Sequence, residues 1–237
     1  NYAKVVADLC KEQGGQPFLT DCNTLYPGSR KNALEHPSCA QENGFWRMTT
    51  GCQIIIGDGL RGTDEVEVPV PNGEYCKTAK IGRAIMDADI FISLTHFKGH
   101  EATGFGGAIK NIGMGCGSRA GKMEQHSSGK PAVQEELCRG CHRCAKECGS
   151  DAIRYNENNK AVIDYEKCKG CGRCIGACNF DAIYSIDSSA NEELDRKMAE
   201  YAAAVCAGRP CFHISLVQDI SANWDCHGEN DAPILPD

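Results

Sequence analysis

Cys138-Arg-Gly-Cys141-His-Arg-Cys144-Ala-Lys-Glu-Cys148 returns thirty residues later as Cys168-Lys-Gly-Cys171-Gly-Arg-Cys174-Ile-Gly-Ala-Cys178. Each copy has the C-x2-C-x2-C-x3-C spacing, in which three thiolates hold one face of a cuboidal [4Fe-4S] cluster and the fourth crosses to a second cluster. The spacing therefore predicts two clusters, one on Cys138, Cys141, Cys144 and Cys178, the other on Cys168, Cys171, Cys174 and Cys148. Structural zinc uses separated C-x2-C pairs, not triplets with a trailing fourth Cys. A disulfide framework requires an oxidising compartment and usually a short chain. Of the 17 cysteines, eight sit in the two runs and nine are scattered singly.

The duplication extends past the cysteines. Leu137 to Tyr155 aligns with Lys167 to Ser185, placing Asp151-Ala-Ile153 against Asp181-Ala-Ile183. Such a repeat predicts a pseudo-twofold unit in which each half lends its fourth Cys to the other. Ile153 to Asn156 and Ala161 to Asp164 form the hairpin between halves, turning through Asn158-Asn159. Gly140, Gly170 and Gly172 let the binding loops turn their N–H groups toward sulfur. Over about residues 136 to 186 the chain resembles bacterial two-cluster ferredoxins. It departs from them after the fourth Cys, where Gly149 and Asn179 replace the usual Pro.

At 237 residues the chain is long enough for an α/β domain plus a small module. It opens on Asn1 rather than Met, so the numbering need not cover the whole protein. Asp87 and Asp89 interrupt the best apolar run, no membrane span is expected and no signal peptide is visible. The formal net charge of −7 argues against nucleic acid as a partner. Two oxidised clusters with their thiolates add about −4. Arg139, His142, Arg143, Lys146, Lys167, Lys169 and Arg173 surround the runs. These cations either offset the clusters or form a docking patch for an acidic electron donor or acceptor protein.

Elsewhere helix-then-strand alternation predicts a mainly parallel sheet with helices, an α/β fold interrupted by an inserted α+β two-cluster module. The expected division is 1–135, the insert 136–187, and a return segment 188–237. A helix over 2–14 carries Val5, Val6, Leu9 and Cys10, and a strand follows at 17–21. Further helices are expected over 30–43 and 78–88, strands at 53–57 and 89–95, and an edge strand at 66–70. Beyond the insert, 191–207 reads as an amphipathic helix presenting Leu194, Met198, Tyr201, Ala202 and Val205, and 211–217 as a strand. The scattered Cys10, Cys22, Cys39, Cys52, Cys76, Cys206 and Cys211 read as small apolar side chains kept reduced in an anaerobic cytoplasm.

Binding groups in α/β sheets gather just past strand ends. Past the 89–95 strand lies His96-Phe-Lys98-Gly-His100-Glu-Ala-Thr-Gly104-Phe-Gly106-Gly107-Ala-Ile-Lys110-Asn111-Ile-Gly113-Met-Gly115-Cys116. Glycines let backbone N–H groups approach an anion, lysines neutralise it, and a helix starting within 106–111 would offer its N-terminus. The G-x4-G-K-[ST] spacing of a Walker A loop is absent. Lys98, Lys110, Asn111, Lys122 and His126 are candidate ligands of a small anion, and His96 or His100 would move protons. Asp225-Cys226-His227 follows the last strand, with Cys226 a candidate thiolate or metal ligand. Each of these His and Cys residues can equally be structural.

The His-Phe-Lys-Gly-His, Gly-Phe-Gly-Gly-Ala-Ile-Lys-Asn and Gly-Met-Gly-Cys stretches, followed by the cysteine runs, resemble the DUF362 family of iron–sulfur proteins over about residues 50 to 237. The resemblance implies an α/β scaffold with a ferredoxin insertion. His100-x3-Gly104-Phe-x-Gly107-x2-Lys110 is also similar to a stretch of the lactate racemase family, which implies an acid/base role for His100 and a nucleotide-anchoring one for Lys110. Two functions follow. One is an iron–sulfur oxidoreductase or redox subunit passing electrons to or from the pocket around His100 and Lys110. The other is a non-catalytic electron carrier or docking subunit.

Overall fold

In the computed structural model, residues 1–25, 28–100, 103–127, 130–168, 170, 172–185, 191–221 and 233–234 are described. Cys171, Lys169, Cys226 and His227 lie outside them. The chain opens with α1 (Tyr2–Glu12), β1 (Phe18–Asp21), α2 (His36–Glu42), α3 (Arg47–Thr50) and β2 (Gln53–Ile56). It continues with β3 (Glu65–Pro69), β4 (Thr78–Gly82), α4 (Arg83–Met86) and β5 (Phe91–His96). Then come β6 (Lys98–His100), β7 (Gly104–Gly106), α5 (Ala108–Cys116) and α6 (Arg119–Ser127). The cysteine-rich stretch contributes β8 (Pro131–Val133), α7 (Arg143–Lys146), β9 (Ile153–Tyr155), β10 (Ala161–Ile163), α8 (Arg173–Ala177) and β11 (Ile183–Ser185). The last elements are α9 (Asn191–Cys206) and β12 (Cys211–Leu216).

The class is mixed α/β, but a mainly parallel sheet is not what forms among the described residues. Six separate strand pairs occur. Only β1–β2 and β5–β12 run parallel. The others are antiparallel. Eight residues separate β3 from β4 and three separate β6 from β7, and connections so short admit only antiparallel pairing.

Two local expectations also change. The first turns of the helix expected over 78–88 are β4 instead. Ala79 and Ile81 are both buried, a period of two that a helix cannot supply, and they pair with Val68 and Val66 of β3. Only Arg83–Met86 is helical. In α1 the inward face is Ala3 and Ala7, flanked by half-buried Val6 and Cys10, while Val5 and Leu9 are exposed. α1 packs against α3. The helix expected over 30–43 is confined to α2, which Pro37 opens in its first turn.

Buried side chains form two cores. One gathers Ile81, Ile85, Ile112, Tyr201 and Val205 between β4, α4, α5 and α9. Here Leu194, Met198, Tyr201, Ala202 and Val205 of α9 are all buried, as its apolar spacing predicts. α5 and α9 meet at Gly113, where a Cβ would stand 2.2 Å from the Met198 carbonyl oxygen. Close backbone approach, not conformation, demands glycine there. The second core lies in the cysteine-rich unit and includes Cys138, Cys144, Cys174 and Cys178 with Ile163, Ile175 and Ile183. Leu25 and Met123 reach into it from the α/β body.

Candidate functional site

The cysteine-rich unit is built from two superposed patterns. β8 pairs antiparallel with β11, β9 with β10, and α7 packs against α8. Left-handed backbone recurs at matching positions: His142 (φ 60°) and Gly172 (φ 66°), Asp151 (φ 50°) and Asp181 (φ 52°), Gly140 (φ 60°) and Gly170 (φ 68°). Gly140 and Gly170 behave as their spacing predicts. The hairpin turns at Asn159, itself left-handed at φ 57°. The matched His142 and Gly172 differ for a reason of packing. A Cβ on Gly172 would stand 2.7 Å from Cγ of the buried Arg119, whereas His142 is exposed and stacks on the Tyr155 ring at 3.8 Å.

Two cavities open in this unit. Cys138, Cys141, Cys144 and Cys178 line the first. Cys148, Cys168 and Cys174 line the second. The fourth Cys of each run thus faces the cavity of the other run, Cys178 the first and Cys148 the second. All fifteen described cysteines are free thiols. Among the described residues no three His, Cys, Asp or Glu side chains converge into a site for a single metal ion. The first four thiols line one cavity, a soft donor set of the kind that zinc or an iron–sulfur cluster takes.

Donors already point at these sulfurs. The Ala161 N–H reaches Cys138 Sγ at 3.4 Å and the Ala152 N–H reaches Cys148 Sγ at 3.3 Å. Burial works against a Cys148 thiolate, but hydrogen bonds from the Ser150 hydroxyl and from backbone N–H groups outweigh it and hold the thiol below its usual range. Outside the unit the opposite holds. Burial pushes the Cys116 thiol up to about 12 and Cys22 well above its ordinary value. Those thiols are inert packing groups, as read for Cys22.

Cations tie the unit to the α/β body. Lys31 donates to the Cys178 carbonyl oxygen at 3.1 Å and pairs with Asp181, and Arg61 pairs with Glu147. Arg119, fully buried, lies against both Gly172 and Gly176 of the second run. None of Lys31, Arg61 and Arg119 is among the cations singled out around the runs. Lys31 and Arg61 lie far from the cysteine runs in sequence and no local pattern reveals them, whereas Arg119 continues the basic run with Lys122 and His126 but turns toward the second run instead of an anion pocket.

The glycine-rich stretch past β5 divides into groups. Lys98 and His100 are i, i+2 neighbours on one face of β6, both nearly buried. Gly106 is flanked by the stems of Lys98 and Lys110, which would lie 3.7 and 3.5 Å from a Cβ there. His100 Nδ1 accepts from the Thr103 N–H at 3.2 Å, so the neutral ring carries its proton on Nε2. Lys98 and Lys110 therefore meet at Gly106, with His100 two residues beyond Lys98 along β6, and the helix expected to begin within 106–111 is α5.

The other candidates stand apart. His96 Nε2 donates to the Gln218 carbonyl at 2.7 Å. Lys122, expected to bind the anion, instead donates to the Gly115 and Gly117 carbonyls at 3.2 and 2.7 Å. It satisfies the C-terminal end of α5, the end opposite Lys110. Asn111 is exposed and His126 half-buried near the end of α6. Cys226 falls outside the described residues.

Fold and site together define a mixed α/β chain bearing a duplicated, thiol-lined unit. Over residues 1–237 the chain matches the model of the family described as domain of unknown function (DUF362), and it belongs to that family. The match includes the first 49 residues, ahead of the stretch on which the resemblance was read. Among curated proteins none matches the chain.

Proposed function

We propose that this chain is an iron–sulfur redox protein that carries single electrons on two [4Fe-4S] clusters. Cys138, Cys141, Cys144 and Cys178 would hold one, and Cys168, Cys171, Cys174 and Cys148 the other. The observation carrying this reading is the crossed convergence of the two runs: four predicted ligands line one cavity and three described ones line its twin. The pairing β8–β11 and β9–β10 supports a ferredoxin-like insert, with its start moved from the expected 136 to about 131 because β8 is one of its strands. Bound clusters supply one-electron redox chemistry. The chain's own part is to orient the thiolates, donate N–H groups to sulfur and limit water with apolar walls.

Purified without oxygen, the chain is expected to contain about eight irons and eight inorganic sulfides. Cys148→Ser and Cys178→Ser should each impair one site, at opposite runs. Zinc in place of iron, or cystines among those eight side chains, would overturn the reading.

Electrons would pass to or from a small anionic substrate at Lys98, His100 and Lys110, a reading favoured by the two lysines straddling Gly106. His100 would transfer the proton from Nε2. In the alternative, a carrier or docking subunit, these residues are structural. Lys110→Ala with His100→Ala separates the two: loss of substrate turnover with cluster reduction intact supports the pocket, and unchanged turnover supports the carrier. The free thiols among the described residues fit a reducing compartment such as the cytoplasm. No described helix is long and apolar enough to cross a membrane.

A further inference from the structure

Two halves related by duplication need not hold their occupants equally, and the residues around the first cavity contain a difference. Tyr155, at the end of β9, lines that cavity together with Cys138, Cys141, Cys144 and Cys178. Its hydroxyl oxygen lies 3.2 Å from Cys144 Sγ. The ring is held from behind: His142 stacks on it with centroids 3.8 Å apart, and His142 Nε2 is in turn bonded to Asn159 Oδ1 at 2.9 Å. Asn159 closes the arrangement through Nδ2, which donates to the Gly140 carbonyl at 3.3 Å. The hydroxyl is thus fixed by stacking and hydrogen bonds that involve only the first run and its hairpin. Thirty residues on, the matching position is Ser185, and no tyrosine is among the described residues lining the second cavity.

We infer that Tyr155 donates a hydrogen bond to the Cys144 sulfur and by it raises the reduction potential of the Cys138–Cys141–Cys144–Cys178 site alone. The inference rests on the proposed cluster reading. A ligating cysteine has lost its proton, so in the 3.2 Å contact only the phenol can donate. A donor to a thiolate ligand stabilises whichever state places more charge on sulfur, which is the reduced one. The contact therefore favours adding one electron at this site and does not touch the twin, whose own hydroxyl contact is the longer one between Ser150 and Cys148, at 3.6 Å. Tyr155 is a tuning residue, acting through Cys144.

Tyr155→Phe removes the hydroxyl and keeps the ring that His142 stacks on. Anaerobically purified wild type and variant are compared by iron assay and by redox titration against dithionite, monitored by electron paramagnetic resonance. The expected result is unchanged iron content, with one of two one-electron steps moved to lower potential and the other in place. A second measurement is the iron–thiolate stretching band in resonance Raman spectra, expected to shift in D2O for wild type and less for the variant. Unmoved potentials, equal movement of both steps, or loss of iron from the variant overturns the inference. Absence of iron from the wild type overturns the cluster reading itself, so the two failures are distinguishable.

Discussion

Glu200 shows how much one side chain can do away from the cysteines. Its carboxylate accepts three backbone N–H groups, from Glu74 at 2.6 Å, Tyr75 at 3.0 Å and Cys76 at 2.6 Å, and so fastens the β3–β4 turn to α9. Burial opposes the charge, but these bonds outweigh it, and the carboxyl sits below its usual value of 4.5. A depressed folded-state value means that the stabilisation is present above the unfolded value and disappears as pH falls through the folded one. Glu200→Gln is expected to cost about 2 kcal/mol at pH 7. In urea melts the gap between variant and wild type should narrow below pH 4.5, the unfolded-state value. An equal gap at pH 7 and pH 3 would count against it. Nothing around Glu200 in the sequence marks this role, because its partners lie more than 120 residues earlier.

At the same scale, Gly172 and His142 occupy equivalent left-handed positions with opposite tolerance. Gly172→Ala adds both a strained φ and a Cβ 2.7 Å from Arg119 Cγ, and is expected to destabilise by about 2 kcal/mol. His142→Gly relieves strain and should leave stability within about 1 kcal/mol. Thermal melts of the two variants check the contrast, and equal losses would contradict it.

Among the elements, α9 was the most legible. Sixteen residues with an uninterrupted apolar stripe leave little choice of structure, and its partners accept that stripe as presented. Its contact with α5 depends on Gly113, where an added methyl would meet the Met198 carbonyl oxygen at 2.2 Å. Gly113→Ala should cost at least ~2 kcal/mol by forcing the helices apart, despite alanine's better helix propensity. A variant as stable as wild type would mean that α5 does not lie so close to α9. β4 was misread for the converse reason. Lys80-Ile-Gly-Arg-Ala-Ile-Met satisfies a helical period locally, yet pairing with β3 and the fit of Gly82 against the Gly57 backbone override it. The parallel sheet failed on similar grounds, since periodicity suggests a strand and not which neighbour it meets.

In the molecule as a whole, the two cores differ in what fills them. The α5–α9 core is closed by Tyr201, Ile81, Ile85 and Val205. The other counts Cys138, Cys144, Cys174 and Cys178 among its buried members, arranged around open space. On the proposed reading, iron binding is therefore part of that unit's folding free energy. Removal of iron by a chelator under anaerobic conditions is expected to separate thermal unfolding into two transitions, the lower one belonging to residues 131–185. Hydrogen exchange should show protection lost there and kept in α9. A single transition at the wild-type temperature would contradict the expectation.

The cysteine spacing alone determined the candidate ligand sets and their crossing, because a duplicated motif carries its partners within fifty residues. Apolar patterning likewise determined the amphipathic α9 and the strands β1, β2, β5 and β12, whose signals are local. Only the tertiary structure decided that Lys98 and Lys110 meet at Gly106 while Lys122 caps α5, that Arg119 lies buried against α8, and that Tyr155 touches Cys144. Those relations depend on where the backbone returns in space. No period or spacing along a chain encodes the distance between side chains brought together by packing.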